Sequence, residues 1–566
     1  MLDFTICQDK ETGAPYIETN LTGKTLLTIA QLNKGTAFTR EEREAFGLLG
    51  KLPYTVETLD EQVKRCYLQF KHYSIPLQQY IYLNNLHDKN QILFYKLLKT
   101  HLAQMLPIIY TPVIGTAVQE FSREYRQPRG LYIAYDEHEF LDKILENRTN
   151  PEIDLIVITD GEAVLGIGDQ GVGGMDIPIG KLMVYSICGG IDPTRTLPIF
   201  LDVGTNNQTL INDPMYLGCR HRRLEQEPYD VFIHHFIERI QHHFPKAFIH
   251  WEDFGRSNAR RLLEYYEDKL CTFNDDVQGT GAVTLAALLA ATHIAKIELI
   301  HQKIIIFGAG TAGTGIADHI VACMVRQGLT PEQAHQNFWL VDRQGLLIED
   351  DPTLTEEQKP YARKRTELDK SSFSLLETVT LVKPTALIGC SAQPHAFTQE
   401  IIETMARSCE RPIIFPLSNP DTRCEAEPDA LVRYTNGRAL IATGTQFDDV
   451  IYNDQTYPIA QCNNALVFPG IGLGILAIKA RLLSKNMIWA ATEALSLYSK
   501  SSKNEPSRLL PSLAHAQAIA KKIAVAVAKM AISEGLAESN QSVNLEHHIE
   551  SIFWEPKYLP IKKHKS

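Results

Sequence analysis

No Cys-x-x-Cys pair occurs among the ten cysteines of this 566-residue chain, and the ten are scattered from Cys7 to Cys462. That excludes a zinc-ribbon or redox motif and a dense disulfide scaffold, and it suits reduced thiols in a cytoplasmic protein. Positive charge is in deficit: 56 Lys and Arg stand against 67 Asp and Glu, a net charge of −11. A general nucleic-acid binder is therefore not expected. No stretch reads convincingly as a membrane span: 280–297 is rich in Ala and Thr and carries His293, and 465–482 is broken by Pro469 and glycines. The opening acids Asp3, Asp9 and Glu11 are unlike a signal peptide. Internal repeats and low-complexity linkers are absent as well. What is present, 44% hydrophobic and 22% charged residues, is the composition of an ordinary globular protein long enough for several domains.

The chain is organised around two pairs of acids. Glu252 and Asp253 follow the apolar run Ala247-Phe-Ile, and Asp275 and Asp276 follow Phe273-Asn. A segment of helical character, 258–269, separates them. Four carboxylates among apolar neighbours repel one another and are costly to bury, and a hard divalent cation, Mg²⁺ or Mn²⁺, relieves both problems. The alternative is adjacent acids on a solvated loop.

Upstream, capping residues and three-to-four spacing predict a helical layer from Thr39 to Met105, a candidate oligomer surface, ending in a short extended run at Pro107–Pro112. Tyr110 lies there, either a core aromatic or a proton donor at a cleft. A buried strand at 154–159 runs into a loop with glycines at 166, 168, 171, 173 and 174. Pro178 suits the first turn of the following helix, which places Lys181 near the positive helix end. Apolar neighbours there would depress the lysine pKa, and a surface lysine is the alternative.

Downstream, a strand at 303–307 is followed by Gly308-Ala-Gly310-Thr311-Ala312-Gly313 and a helix. Strand, GxGxxG and helix in that order form a dinucleotide fingerprint, with the pyrophosphate at the helix N-terminus. The next strand ends in Asp342, the acid expected on the adenine ribose, which favours NAD; the adjacent Arg343 leaves NADP open. Short strands at 385–388, 413–415 and 439–442 end in loops, the pattern of a doubly wound sheet. Asn419 and the pair Asn463-Asn464 are polar candidates on these loops, with turn formation as the alternative role. The basic end, Lys562, Lys563 and Lys565, reads as a solvated tail.

These stretches resemble the malic enzyme family over nearly the whole chain. The resemblance is carried by Ile109-Tyr-Thr-Pro112, Val157-Ile-Thr-Asp-Gly-Glu162, Ile177-Pro-Ile-Gly-Lys-Leu182, Leu201-Asp-Val-Gly-Thr-Asn-Asn207, Trp251-Glu-Asp-Phe-Gly255, Phe273-Asn-Asp-Asp-Val-Gln-Gly-Thr280, Leu417-Ser-Asn-Pro420 and Asn463-Asn464. It implies oxidative decarboxylation of (S)-malate to pyruvate and CO₂ with NAD and Mg²⁺ or Mn²⁺. It further implies Lys181 as base for the C2 hydroxyl, Tyr110 as the acid that protonates C3, and Asp275 as support for the lysine. Glu252, Asp253 and Asp276 would bind metal, Asp276 also meeting cofactor, while Asn419 and Asn463 would contact cofactor and substrate. The implied fold is α/β. A mostly helical domain spans 1–127 and a substrate domain spans 128–274 and 464–535. A Rossmann-like NAD-binding domain is inserted at 275–463, and 536–566 is a tail. The family also implies a homo-oligomer, dimer or tetramer. Two departures, Ala163 where family members commonly have arginine and Asp176 where glycine is frequent, resemble the malolactic branch, which makes lactate from malate. Gly218-Cys-Arg-His-Arg222 shares that resemblance. A dinucleotide-binding protein without catalysis is the remaining rival.

Overall fold

The computed structural model describes residues 4–148, 150–501, 508–538 and 544–564. These residues form two compact units, and each holds its own parts of the candidate site. The first comprises 1–156, 175–247 and 553–566; the second comprises 157–174 and 248–552.

The first unit is helical for most of its N-terminal half because its helix starts are well specified. Thr39 and Thr58 form capping boxes with Glu42 and Glu61, starting the helices Arg40–Ala45 and Leu59–His72. Pro76 opens Pro76–Lys89, and the Asn90 side chain caps Gln91–Thr100. The extended run expected at 107–112 is not extended at its start. Pro107 lies inside the helix Leu102–Ile109, and Tyr110 is the first extended residue. Burial of Met105, Leu106, Ile108 and Ile109 outweighs the single backbone hydrogen bond that proline removes.

The two chain ends meet in this unit. Phe4–Gln8 pairs antiparallel with Pro15–Thr19, and Ile561–Lys562 pairs parallel with Pro15–Thr19. The basic end is therefore not simply a solvated tail: Ile561 is buried in a cluster with Phe4, Ile17 and Phe38, while Lys562 and Lys563 stay exposed. Lys565 lies outside the described residues. Nearby, the backbone of Trp554 donates to the carbonyl of Gly190, at the end of the helix Asp176–Gly189 that carries Lys181. Gly190 has φ +61°, and a Cβ there would lie 2.4 Å from the Phe553 ring.

The second unit contains a seven-stranded sheet. Its order is Gly345–Leu346, Phe338–Asp342, Ile304–Phe307, Ala386–Gly389, Ile413–Pro416, Leu440–Thr443, Ala460–Gln461. All neighbours are parallel except the first pair. Ile304–Phe307 is third in this order, with Phe338–Asp342 on one side and Ala386–Gly389 on the other. The chain thus reverses direction of growth between Ile304–Phe307 and Ala386–Gly389, and a doubly wound sheet binds its ligand at that switch point. Among the described residues one helix, Asp275–Ala295, is long and apolar enough to cross a membrane, but 78% of its most apolar window is buried within the fold.

Candidate active site

In the second unit the strand Phe248–Trp251 ends at Glu252 and Asp253, and Thr272–Asn274, paired with it in parallel, ends at Asp275 and Asp276. Parallel pairing puts both acid pairs at the same strand end. One carboxylate oxygen each of Glu252, Asp253 and Asp276 lies within 4.8 Å of the others, and His250, Glu252 and Asp275 form an overlapping group of the same tightness. Glu252, Asp253 and Asp275 are at most 3% exposed. The turn that achieves this is strained: Asp253 adopts φ +57°. Its backbone N–H donates to Asp276 at 2.8 Å and its carbonyl accepts from Ala163 N at 3.0 Å. Asp275–Gly279 forms a π-helical turn, an arrangement that re-aims side chains within a helix.

Three oxygen donors, two buried and Asp276 half-buried, cluster closely enough to fit a hard divalent cation with room for oxygens from substrate or water. Like charges packed this closely cost several kcal/mol without a counter-charge. Glu252, Asp253 and Asp276 would hold the cation, and His250, with Nε2 2.6 Å from Glu252, would orient one ligand.

Lys181 and Tyr110 meet in the first unit. The lysine Nζ lies 5.3 Å from the centre of the Tyr110 ring. Lys181 is 1% exposed and sits in a helix whose every residue from Ile177 to Gly189 is buried, so the surface reading of this lysine is excluded. Gly180 makes the approach: a Cβ there would lie 2.5 Å from Ile114 Cδ1, 3.2 Å from Ile109 O and 3.6 Å from Tyr110 Cδ2.

The nucleotide turn uses its glycines differently. Gly308, at φ +106°, lies against the backbone of Cys390 across the switch point, and a Cβ would stand 2.6 Å from it. At Gly313 a Cβ would meet Gly308 O at 1.9 Å, so helix and turn touch; at Gly310 nothing lies within 4 Å, which leaves the backbone open to an approaching pyrophosphate. Thr311 and Ala312 begin the helix Thr311–Arg326. Asp342 ends its strand and accepts from Arg343 N at 3.0 Å and from Gln358 Nε2 at 3.2 Å, and Gln358 also donates to Ala309 O. Arg256 Nη1 lies 3.8 Å from Asp342, a second cation near this carboxylate besides the exposed Arg343.

Asn419 has a buried Oδ1 with no hydrogen-bond partner, a vacant acceptor beside the switch point. Its loop is pressed against neighbours: a Cβ on Gly444 would meet Leu417 O at 2.1 Å, and one on Gly166 would meet Asn419 O at 2.3 Å. Asn463 uses its Oδ1 to cap its own turn, accepting from Ala465 N at 2.9 Å. Its neighbour Asn464 donates to Asp275 at 2.9 Å.

Three residues of this machinery were not singled out by sequence reasoning. His250, two residues before Glu252, carries no role in the sequence reading; a strand buried at every residue offers no sign that its imidazole reaches Glu252. Asn464 was named only as half of a pair. Glu425, 0% exposed, accepts from Ser391 N and Oγ at 2.8 and 2.9 Å and from Ser418 Oγ at 2.5 Å, tying together the loops after Ala386–Gly389 and Ile413–Pro416. Its sequence context, Arg-Cys-Glu-Ala-Glu, looks like a surface run.

Two family models match: one described as "Malic enzyme, N-terminal domain" over residues 87–267 and one as "Malic enzyme, NAD binding domain" over 277–532. Among curated proteins, an NAD-dependent malic enzyme of Vibrio parahaemolyticus is 48% identical over 546 residues, covering 96% of this chain and 97% of its own. NAD-dependent malic enzyme 1 of Vibrio vulnificus matches at the same identity and coverage. Among solved structures, a malic enzyme of Entamoeba histolytica shares the fold, with a TM-score of 0.56 at 23% identity over 89% of this chain and 91% of its own. Near-full-length identity of this order shows that the chain belongs to the malic enzyme family.

Proposed function

We propose that this protein catalyses the metal-dependent oxidative decarboxylation of (S)-malate to pyruvate and CO₂ with reduction of NAD. The observation that carries the reading is the convergence of Glu252, Asp253 and Asp276 beside a dinucleotide turn in a chain 48% identical to NAD-dependent malic enzymes.

Lys181 would take the proton of the C2 hydroxyl, and NAD, when bound, would supply the hydride acceptor. The lysine Nζ is buried beside the Tyr110 ring, where a base for the hydroxyl would be screened from bulk water. A divalent cation, when bound, supplies Lewis-acid stabilisation of the developing oxyanion. Tyr110 returns a proton to C3 after CO₂ leaves. Asp275, held by Asn464, supports the charge balance around the lysine's proton. Asn419 presents its vacant Oδ1 to a donor such as the nicotinamide carboxamide, and Asn463 contacts substrate. The domain limits 1–127, 128–274 with 464–535, 275–463 and 536–566 belong to the same proposal. So do a homo-oligomeric assembly and a cytoplasmic location, which agrees with ten free thiols.

The malolactic outcome is the second reading, and Ala163 favours it: its backbone is hydrogen-bonded to Asp253, so an arginine here would stand beside the acid cluster. One assay separates the readings. Purified protein is given (S)-malate, Mn²⁺ and NAD⁺, and reduced cofactor, pyruvate and lactate are measured together. Equal amounts of NADH and pyruvate are expected; lactate without accumulating NADH would overturn the proposal. Repeating it with NADP⁺ tests the role of Arg256 and Arg343 beside Asp342.

A further inference from the structure

A second group of metal-ligating atoms lies in the first unit, on residues the reaction does not use. Asp136 sits in the 3₁₀ segment Tyr135–Phe140, and Cys219 and His221 sit in the loop after Gln208–Asn212. One ligand atom from each of the three lies within 4.8 Å of the others. We propose that Asp136, Cys219 and His221 form a binding site for a thiophilic divalent cation, with Zn²⁺ the ion whose preferences match the donor set.

The donor chemistry separates this group from the acid cluster. Thiolate, imidazole and carboxylate are zinc ligands, whereas an all-oxygen set suits Mg²⁺ or Mn²⁺. Asp136 is exposed and Cys219 and His221 are half-buried, so three protein ligands leave a fourth position open to water.

The loop holds its ligands in place before any ion arrives. His221 Nδ1 lies 2.8 Å from Arg222 O; an N–H there donates to the carbonyl and leaves Nε2 as the electron-pair donor, the arrangement usual for a metal-bound histidine. The backbone N–H of Cys219 donates to Asp202 at 2.9 Å, and Asp202 also accepts from Gly204 N. Gly204, at φ +86°, allows the loop to close: a Cβ would lie 2.7 Å from His221 Nδ1. Thr205 N to His221 O and Leu224 N to Val203 O complete the clasp.

The local charge also favours a cation. Burial, and then the nearby carboxylates of Asp202, Asp136 and Glu137, push the Cys219 thiol up to about 12. Those carboxylates oppose a lone thiolate, but they attract a dication, whose binding releases the thiol proton to solvent. Bound metal would tie Tyr135–Phe140 to the 218–222 loop and stabilise the folded chain by mass action.

The test uses the full-length protein in excess Mg²⁺, which satisfies the oxygen-only cluster, with Co²⁺ as probe. One equivalent of Co²⁺ is expected to give sulfur-to-cobalt charge-transfer absorption, which one equivalent of Zn²⁺ removes. Cys219→Ser should abolish the band and His221→Gln weaken it. Zn²⁺ should raise the unfolding temperature of wild type and not of Cys219→Ser. No thiolate band in wild type, or an undiminished band in Cys219→Ser, overturns the site. So does Zn²⁺ that is lost on gel filtration. Should Cys219→Ser fail to fold, Asp136→Asn, altering an exposed side chain, decides: an unchanged zinc affinity counts against the proposal.

Discussion

Gly180→Ala is a one-carbon change whose consequence can be worked from distances. The new methyl would stand 2.5 Å from Ile114 Cδ1 and 3.2 Å from Ile109 O. Carbon pairs rest at about 3.5–4.0 Å, so the Ile114 methyl must retreat by about 1 Å. Ile114 is 0% exposed and has no open space to enter. Overpacking of this kind costs about 1–3 kcal/mol, while alanine in place of glycine inside a helix returns about 1 kcal/mol. The net, about 0–2 kcal/mol, leaves the protein folded. The Ile109 carbonyl must also give by a few tenths of an ångström, next to Tyr110, whose ring centre lies 5.3 Å from Lys181 Nζ. A misplacement near 1 Å can cost on the order of a hundredfold in rate, so a shift of a few tenths of an ångström should lower kcat up to about tenfold. NADH absorbance at saturating malate, Mn²⁺ and NAD⁺ measures this, with urea unfolding of the same preparation as the stability control. Wild-type kcat in a folded Gly180→Ala protein would refute the idea that this glycine sets the Lys181–Tyr110 spacing.

Asp276→Asn removes one charge from the acid cluster, and Mn²⁺ affinity should fall at least tenfold with turnover lost and the fold retained, as read by Mn²⁺ titration and circular dichroism; unchanged affinity would exclude Asp276 as a ligand. Glu425→Gln puts an amide donor among the hydroxyl and amide donors of Ser391 and Ser418, so the KM for NAD⁺ should rise about tenfold while Mn²⁺ affinity stays unchanged. Asp176 faces a cavity with Tyr80 and Arg129, and burial pushes its carboxyl up to about 6 despite the opposing effects of those two neighbours. Because the folded value lies above the unfolded one, the charged form costs stability. The cost is absent below pH ~4, grows between pH ~4 and 6, and is at most about 3 kcal/mol above that. Asp176→Asn should therefore shift the urea midpoint upward at pH 8 and hardly at pH 4, and equal shifts at both would exclude this origin.

Local chemistry was legible in the chain before any contact was known. Acids after short apolar strands, glycines between a strand and a helix, and threonines three residues before glutamate each act within a few residues of themselves. Their meaning survives without the fold: Thr39 caps its helix, and Gly308, Gly310 and Gly313 form the expected turn. Tertiary structure decided what depends on residues far apart in sequence. Pro107 stays helical because the burial of its neighbours outweighs a lost hydrogen bond. Ile561 becomes a strand because Pro15–Thr19 offers an edge more than five hundred residues upstream. His250 lies in a strand buried at every residue, and only folding shows its imidazole on Glu252. Asn464 rather than Asn463 reaches Asp275 because a turn, whose hydrogen bond consumes the Asn463 oxygen, rotates its neighbour toward the acid. Spacing along a chain specifies which groups a strand end or helix start presents. Which of them meet is settled by packing, whose distances no local pattern encodes.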